Sequence, residues 1–199
     1  FETAGAMDGR LRNLVGWRRA VDVRHDIAEL LSPLGNRVTI ERYEHPARDD
    51  FSQDMWLEID YTAPGYAFPV EGGLEFESPA SSIVLNNGWL FRAGVYDWAE
   101  ERETSLFLWF TQLLDAEETI RLPRGYDVEE PPTTDAVDET YASFEAASEQ
   151  DGRDLVVTER VEVRRRMIPP DGYGGFVAAI EAAQDWDDAV FRAEKGGDR

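Results

Sequence analysis

The sequence predicts a mainly β fold, an antiparallel β-sandwich with an N-terminal helix and a C-terminal helix packed on it. From Asn36 onward, apolar residues recur at a spacing of two, as in strands with one buried face. Asp151-Gly152 separates two alternating segments and is a hairpin signal. Helical spacing of apolar residues occurs near the two ends of the chain. Many antiparallel strands with few helices are typical of a sandwich.

The first segment with helical spacing starts near residue 22. Four apolar residues recur there at the period of a helix: Val23, Ile27, Leu30 and Leu31. Asp22 is the predicted N-cap, and Ser32-Pro33 ends the helix. Residues 8–35 are therefore predicted to be a helical lead-in, residues 36–195 the β-sandwich domain, and residues 196–199 a disordered tail. Residues 1–7 include Gly-Ala-Met, which is typical of a cloning remnant, and they are left out of the fold prediction.

Strands are predicted where apolar and polar residues alternate. These segments are RVTIERYEH (37–45), MWLEIDYTA (55–63), LEFES (74–78), EETIRL (117–122) and ETYASFEAASEQ (139–150). TSLFLWFTQLL (104–114) is a nearly continuous apolar run, as expected for a strand buried on both faces. Residues 79–87 are predicted to be irregular or a single helical turn, and a short strand is predicted around residues 89–92.

The C-terminal part predicts a strand, a turn, a helix and a last strand. Residues 153–168 alternate, with five apolar residues on one face: Leu155, Val157, Val161, Val163 and Met167. Pro169-Pro170 ends this strand, because proline cannot donate to the ladder. Residues 171–175 are predicted to turn the chain into an amphipathic helix anchored by Tyr173 and Phe176. AVFRAE (189–194) is the predicted final strand.

The composition excludes several classes of function. The 199 residues include 41 acidic and 20 basic ones, a net charge of −21, which repels phosphate backbones and anionic lipids. No nucleic acid is expected as a partner, and the lack of a long apolar run predicts no membrane insertion. The chain has no cysteine, so disulfides, thiolate nucleophiles and cysteine-based zinc sites are excluded.

Signals for anion and metal sites are weak. Gly172, Gly174 and Gly175 precede the last helix, but their spacing matches neither a dinucleotide fingerprint nor a P-loop. The histidines, His25 and His45, have no partner at zinc-ligand spacing. Two acidic clusters lack the pattern of a calcium loop: Asp49, Asp50 and Asp54, and Asp185, Asp187 and Asp188. We therefore predict no metal site and no cofactor.

Catalytic motifs are lacking, and the aromatic residues offer a different candidate. There is no Gly-x-Ser-x-Gly, and no pair among the 41 carboxylates stands out as a glycosidase pair. No catalytic residue is predicted. Aromatics at strand spacing are more typical of a core than of a surface. A binding surface is nevertheless predicted at four of them: Trp56, Trp89, Tyr96 and Trp98.

Two longer motifs resemble a known family. They are LPRGYDVEEPP (122–132) and RRRMIPPDGYGGFVAAIEAAQDWDDAVF (164–191), in which Ile168, Pro169 and Tyr173 occupy positions of the family pattern. The motifs resemble the C-terminal β-sandwich domain of bacterial transglutaminase-like multidomain proteins. In these proteins an N-terminal β-domain and a papain-like core precede the sandwich. The resemblance extends over residues 22–195 and implies a place in the periplasm or cell envelope.

What the resemblance implies is an accessory role. The family's catalytic Cys-His-Asp belongs to the core domain, and this chain has no cysteine to supply it. The leading hypothesis is a non-catalytic domain that contacts missing upstream domains of the same protein, or another protein. One alternative is a carbohydrate-binding module that uses exposed Trp, and another is a hydrolase that uses paired carboxylates. An exposed apolar patch would favour the first hypothesis.

Overall fold

A computed structural model describes residues 1–16, 19–35, 37–87 and 102–196. Within these ranges the chain forms four α-helices and twelve strands in four antiparallel sheets. The helices are α1 (Gly5–Val15), α2 (Ala20–Leu30), α3 (Pro79–Asn87) and α4 (Pro170–Asp187). The strands are β1 (Thr39–Glu44), β2 (Glu58–Thr62), β3 (Phe68–Val70), β4 (Gly73–Phe76), β5 (Leu106–Phe107), β6 (Gln112–Arg121), β7 (Tyr126–Asp127), β8 (Val137–Asp138), β9 (Ala142–Asp151), β10 (Asp154–Val163), β11 (Met167–Ile168) and β12 (Phe191–Lys195). The predicted fold class, mainly β and antiparallel with helices near both ends, is confirmed.

The chain divides into two compact units, Phe1–Tyr66 and Ala67–Arg199. Unit 1 contains α1, α2 and the antiparallel ribbon β1–β2. Unit 2 contains the other described strands and helices, including both four-stranded sheets. In the described part of the chain, no helix combines the length and the apolar character needed to span a membrane.

In unit 1, helix α2 has the apolar face that the sequence predicts. Val23 and Ile27 are buried, and a 3₁₀ turn at Ser32–Leu34 follows the helix. The predicted N-cap is wrong: Asp22 lies within the first turn, and Arg19 occupies the cap position. Asp22 instead accepts hydrogen bonds from the Arg19 guanidinium, at 3.0 and 3.1 Å.

The first residues of the chain also belong to unit 1. The Phe1 ammonium group donates to the Leu57 carbonyl at 2.8 Å, and the Leu57 N–H donates back to the Phe1 carbonyl at 2.8 Å. The Thr3 N–H donates to the Met55 carbonyl at 2.9 Å. The segment left out of the fold prediction therefore pairs with residues 55–57.

In unit 2, the largest sheet has the order β6-β10-β9-β8. The predicted hairpin is confirmed: Asp151 pairs with Asp154, and Gly152 has φ of 60°, which favours glycine. Every second residue of β10 is buried. Helix α4 packs on β9 and β10, so the sheet and this helix enclose a common core.

Helix α4 begins earlier than the sequence predicts. Residues 171–175, predicted to be a turn, lie in its first turns. A Cβ on Gly172 would lie 2.1 Å from Cε2 of Tyr141, and one on Gly175 would lie 2.8 Å from Oε2 of Glu139. The turn prediction is wrong because these glycines allow the helix to approach residues 139–141 closely. This tertiary packing outweighs their low helix propensity.

The second four-stranded sheet of unit 2 has the order β3-β4-β12-β7. It contains the predicted final strand, β12, which pairs antiparallel with β4 and β7. The ring of Phe191 stacks on Phe76 with centroids 5.7 Å apart, and its centroid is 6.1 Å from that of Trp186 in an edge contact. Aromatic packing thus joins the end of α4 to this sheet.

Candidate functional site

An apolar patch lies on the two-stranded sheet β5–β11. Met167 lies directly opposite Phe107 in this sheet. Trp109 follows two residues after Phe107. Met167, Phe107 and Trp109 are 60%, 53% and 70% exposed, respectively. We refer to these three side chains as the β5–β11 surface.

Buried neighbours fix the outward direction of this surface. Leu106, Leu108 and Ile168 alternate with its residues along the chain and are 5%, 0% and 0% exposed. Successive side chains of a strand point to opposite faces, so burial of Leu106 and Ile168 directs Phe107 and Met167 outward. The Leu108 N–H also donates to the Arg166 carbonyl at 2.7 Å, which extends the pairing of the two strands. The surface is therefore held by core packing and by backbone hydrogen bonds.

This arrangement corrects two predictions. TSLFLWFTQLL is not one strand buried on both faces, because it divides into β5 and the beginning of β6 and exposes Phe107 and Trp109. Met167 was predicted on the buried face of one long strand. However, β10 ends at Val163, and the chain resumes pairing only at Met167. The break changes the phase of the alternation, and Met167 points outward.

An arginine lies directly over the β5–β11 surface. The guanidinium carbon of Arg166 lies 4.9 Å from the ring centroid of Phe107, a cation–π contact, and Nε donates to the Leu108 carbonyl at 3.3 Å. Arg164 is neutralised locally, by Asp138 at 2.7 Å and Glu162 at 3.1 Å. Arg165 and Arg166 are exposed, and neither forms an ion pair with a carboxylate that the structure describes.

Two glutamates lie on the inner face of the largest sheet. Glu118 on β6 pairs with Val157, and Glu159 on β10 pairs with Ala116. Glu118 and Glu159 are therefore diagonal neighbours on the same face of the sheet, a placement that brings long side chains within reach of one another. Glu159 is only 4% exposed.

Helix α3 covers both carboxylates with hydrogen-bond donors. The Ser78 hydroxyl and the Ala80 N–H (3.1 Å) donate to Glu118, and the Ser81 hydroxyl donates to Glu159 at 2.5 Å. Ser78 also caps the helix, because its Oγ accepts from the Ser81 N–H at 3.0 Å. The prediction that residues 79–87 are irregular or a single turn is wrong, since α3 has nine residues. The glutamate pair anchors the first turn of α3 to the sheet.

Burial raises the pKa of both glutamates. Desolvation is the largest cause and raises the pKa of Glu159 to about 7; the hydrogen bond from Ser81 lowers it, and the negative charges of Asp187 and Glu118 raise it. Desolvation also raises the pKa of Glu118, against the hydrogen bonds from α3. Near neutral pH, Glu159 is partly protonated, which limits the repulsion within this acidic pair.

The predicted aromatic surface is described in part. Trp56 lies in unit 1, where it is half-buried and forms an isolated β-bridge with Glu2. Trp89, Tyr96 and Trp98 lie outside the described residues. Trp109 is not one of the four residues of the predicted aromatic surface. The apolar run around it predicts that it is buried, but its side chain is exposed.

The first acidic cluster lies in a loop that a buried arginine holds in place. Arg12 donates five hydrogen bonds of 2.6–3.2 Å, two to the Asp8 carboxylate and three to the backbone carbonyls of Arg48, Asp50 and Gln53. Hydrogen bonds from the Ser52 and Gln53 side chains and from the Ser52 N–H lower the pKa of Asp50 to about 2. Among the described residues, no group of three or more His, Cys, Asp or Glu side chains could hold a metal ion.

Sequence reasoning missed both Glu159 and the β5–β11 surface. A signal for Glu159 was present: it is the polar member of an otherwise apolar series on β10, Leu155, Val157, Glu159, Val161 and Val163. For Glu118, one acidic residue among 41, the primary sequence gives no comparable signal. The signal for the surface was weaker, since an apolar residue that faces outward resembles one that faces the core.

Comparisons with known proteins give a family but no activity. Residues 81–190 match the family DUF3858, described as a domain of unknown function with a solved structure. A search of curated proteins gives no match. Among solved structures, the crystal structure of "a putative protease from Parabacteroides distasonis" is similar with a TM-score of 0.47 and 13% identity. That likeness covers 55% of this chain and 21% of that one, and it says nothing about activity. The family match spans more than half of the 199 residues, and the chain therefore belongs to the DUF3858 family.

Proposed function

We propose that this chain is a non-catalytic accessory domain that acts by protein contact, within a bacterial protein that also has a transglutaminase-like core. The observation that supports this most is the β5–β11 surface, which places three large apolar side chains in solvent. Exposed contiguous apolar patches are typical of interaction sites. Aromatic residues, Met and Arg are the side chains enriched in protein interfaces. The surface consists of two aromatic residues and Met167, and Arg166 lies over it.

The rigidity of the surface supports the same proposal. Phe107 and Met167 lie opposite each other in a hydrogen-bonded strand pair, and their neighbours Leu106 and Ile168 are buried in the core. The backbone that carries Phe107 and Met167 is therefore already held in place, and a partner does not have to order it on contact. The motif RRRMIPP, on which the family resemblance depends, supplies Met167 and Arg166 to this surface.

The experiment compares the full-length gene product with the isolated chain by hydrogen exchange. We expect the amides of residues 105–109 and 165–168 to exchange more slowly in the full-length protein, because the upstream core covers them. The double substitution Phe107→Ser and Trp109→Ser should remove this protection, while Val190→Ser, at an apolar residue that is also 50% exposed, should leave it unchanged. Equal exchange in both proteins, or a gene product without an upstream cysteine-containing core, would refute the proposal.

Carbohydrate binding is a second candidate, supported by the 70% exposure of Trp109. An exposed indole offers an apolar face on which a sugar ring can stack. Titration with a mixture of cell-wall glycan fragments, followed by tryptophan fluorescence, tests it. A change in wild-type fluorescence that is lost in Trp109→Phe would favour this candidate, and a flat titration would remove it.

The carboxylate pair gives less support to a hydrolase. A glycosidase pair must contact substrate from both sides of the scissile bond. Here Glu118 and Glu159 accept hydrogen bonds from Ser78, Ala80 and Ser81 of one helix end. Their geometry supports the attachment of α3 to the sheet.

A further inference from the structure

We infer that the partner of the β5–β11 surface is a protein segment that places a carboxylate beside an apolar anchor. This inference rests on the proposed function, because it specifies the partner of the same surface. The physical reason is the position of Arg166: its charge requires an anion on the partner, which an apolar patch alone would not require.

A partner that covers the face of Phe107 beneath Arg166 also covers Arg166. The guanidinium lies 4.9 Å from the centre of the Phe107 ring, which is stacking distance. A surface that packs on the Arg166 side of that ring therefore removes water from the guanidinium as well. Moving a charged group out of water without an opposite charge beside it costs roughly several kcal/mol. An apolar partner without an anion would lose most of what it gains by covering Phe107.

Among the described residues, no carboxylate supplies this anion. Nε of Arg166 donates to the Leu108 carbonyl, and the two terminal nitrogens of this exposed side chain have no hydrogen-bond partner among the described residues. No described carboxylate pairs with Arg166 or with the exposed Arg165, whereas Arg164 has two such partners. The planar fork of a guanidinium matches a carboxylate in a bidentate pair. A carboxylate of the partner is thus the group that fits the outer edge of Arg166.

A lipid surface fits less well than a protein segment. Anionic headgroups could neutralise Arg165 and Arg166, but the chain carries a net charge of −21, which repels an anionic membrane as a whole. A second copy of the chain in a two-fold contact at this patch would bring the same arginines together. Both cases are distinguished by the experiment.

The experiment measures hydrogen exchange of residues 105–109 in the full-length protein and in the isolated chain, with Arg166→Gln, Arg166→Lys and the control Arg124→Gln. Arg124 is an exposed arginine beside Gly125. We expect Arg166→Gln to raise the exchange rate of these amides in the full-length protein by roughly tenfold or more, the size expected for loss of a charge-assisted hydrogen bond. Arg166→Lys should restore part of the protection. Arg124→Gln should leave exchange unchanged in both proteins. Because Arg166 contacts Phe107 and Leu108 in the isolated chain as well, the tenfold effect is the change in the full-length protein beyond the change that the same substitution causes in the isolated chain.

The outcomes separate this inference from the proposed function. Protection that persists in Arg166→Gln would overturn the inference and leave the accessory role intact. No protection in the wild-type protein would overturn both. Protection that appears only with phosphatidylglycerol vesicles, or only at high protein concentration together with a dimer in sedimentation, would replace the partner with a membrane or a second copy and would overturn the inference.

Discussion

Replacing Glu159 by glutamine tests the account of the buried carboxylates. Glu159 is 4% exposed and its pKa is raised from 4.5 to about 7, chiefly by desolvation. Below pH 4.5 the side chain is protonated in both the folded and the unfolded chain. Between pH 4.5 and about 7 the unfolded chain loses this proton and the folded chain keeps it, so the free energy of unfolding falls as the pH rises. Above about pH 7 this decrease in the free energy of unfolding is complete.

The size of this loss follows from the shift. A rise from 4.5 to about 7 corresponds to a stability difference of about 3 kcal/mol between pH 4 and pH 8, to order of magnitude. Gln is neutral at every pH, keeps the shape of the side chain, and can accept from the Ser81 hydroxyl. We therefore expect Glu159→Gln to match the wild type at pH 4.5 and to be more stable by about 2–3 kcal/mol at pH 8.

The assay is urea unfolding of wild type and variant at the two pH values, followed by circular dichroism and by tryptophan fluorescence. The matched control is Glu117→Gln on the exposed side of β6, which removes the same charge without burial. Its stability relative to the wild type should change by less than about 0.5 kcal/mol between the two pH values. If Glu159→Gln shows the same difference from the wild type at both values, the carboxylate is not desolvated as described.

Two further predictions concern packing. Arg12→Met should destabilise unit 1 by about 3–5 kcal/mol, because it leaves Asp8 and three backbone carbonyls without their donor. Protease cleavage within residues 47–54 should therefore be faster in this variant. Cleavage at the wild-type rate would contradict the role of Arg12. Gly172→Ala should destabilise unit 2 by about 1–3 kcal/mol, because its Cβ would overlap Tyr141. Gly174→Ala, which meets nothing within 4 Å, should instead stabilise α4 by about 0.5–1 kcal/mol. The thermal midpoints of the two variants should move in opposite directions, and a shift of the same sign would refute the packing argument.

The parts of the fold that the sequence predicts well depend on local rules. The hairpin β9–β10 follows from Asp151-Gly152 together with regular alternation on both sides, and both signals act within a few residues. The apolar face of α4 and the strand β12 follow similarly. Residues 171–175 were mistaken for a turn because the glycines there serve a contact with residues 139–141, about 30 residues away along the chain. Local propensity does not contain that contact.

The candidate site was harder to predict because it has a polar residue at a buried position and apolar residues at exposed positions. Glu159 occupies an inward position, and Phe107, Trp109 and Met167 occupy outward positions. Hydrophobic periodicity assigns apolar residues to the core, so it places the surface inside and overlooks the glutamate. Such inversions are expected where a residue serves something other than folding. Glu159 is an exception, because its role is structural: it attaches α3 to the sheet through Ser81. For the surface, the proposed contact with a partner accounts for the inversion.

The strength of the β5–β11 surface indicates which kind of partner suits it. Full burial of one large apolar side chain contributes about 1.5–3 kcal/mol, and the three residues here are still 53%, 60% and 70% exposed. Covering the remainder therefore yields about 3–5 kcal/mol in total. A free partner loses about 4–15 kcal/mol of translational and rotational freedom on binding, so contact with a separate molecule through this patch alone would be weak. A domain of the same polypeptide avoids most of that loss, because the tether holds it at an effective concentration on the order of millimolar. The carboxylate opposite Arg166 would then select the docking position rather than supply the affinity. A surface of this size is thus better suited to a neighbouring domain than to a freely diffusing ligand.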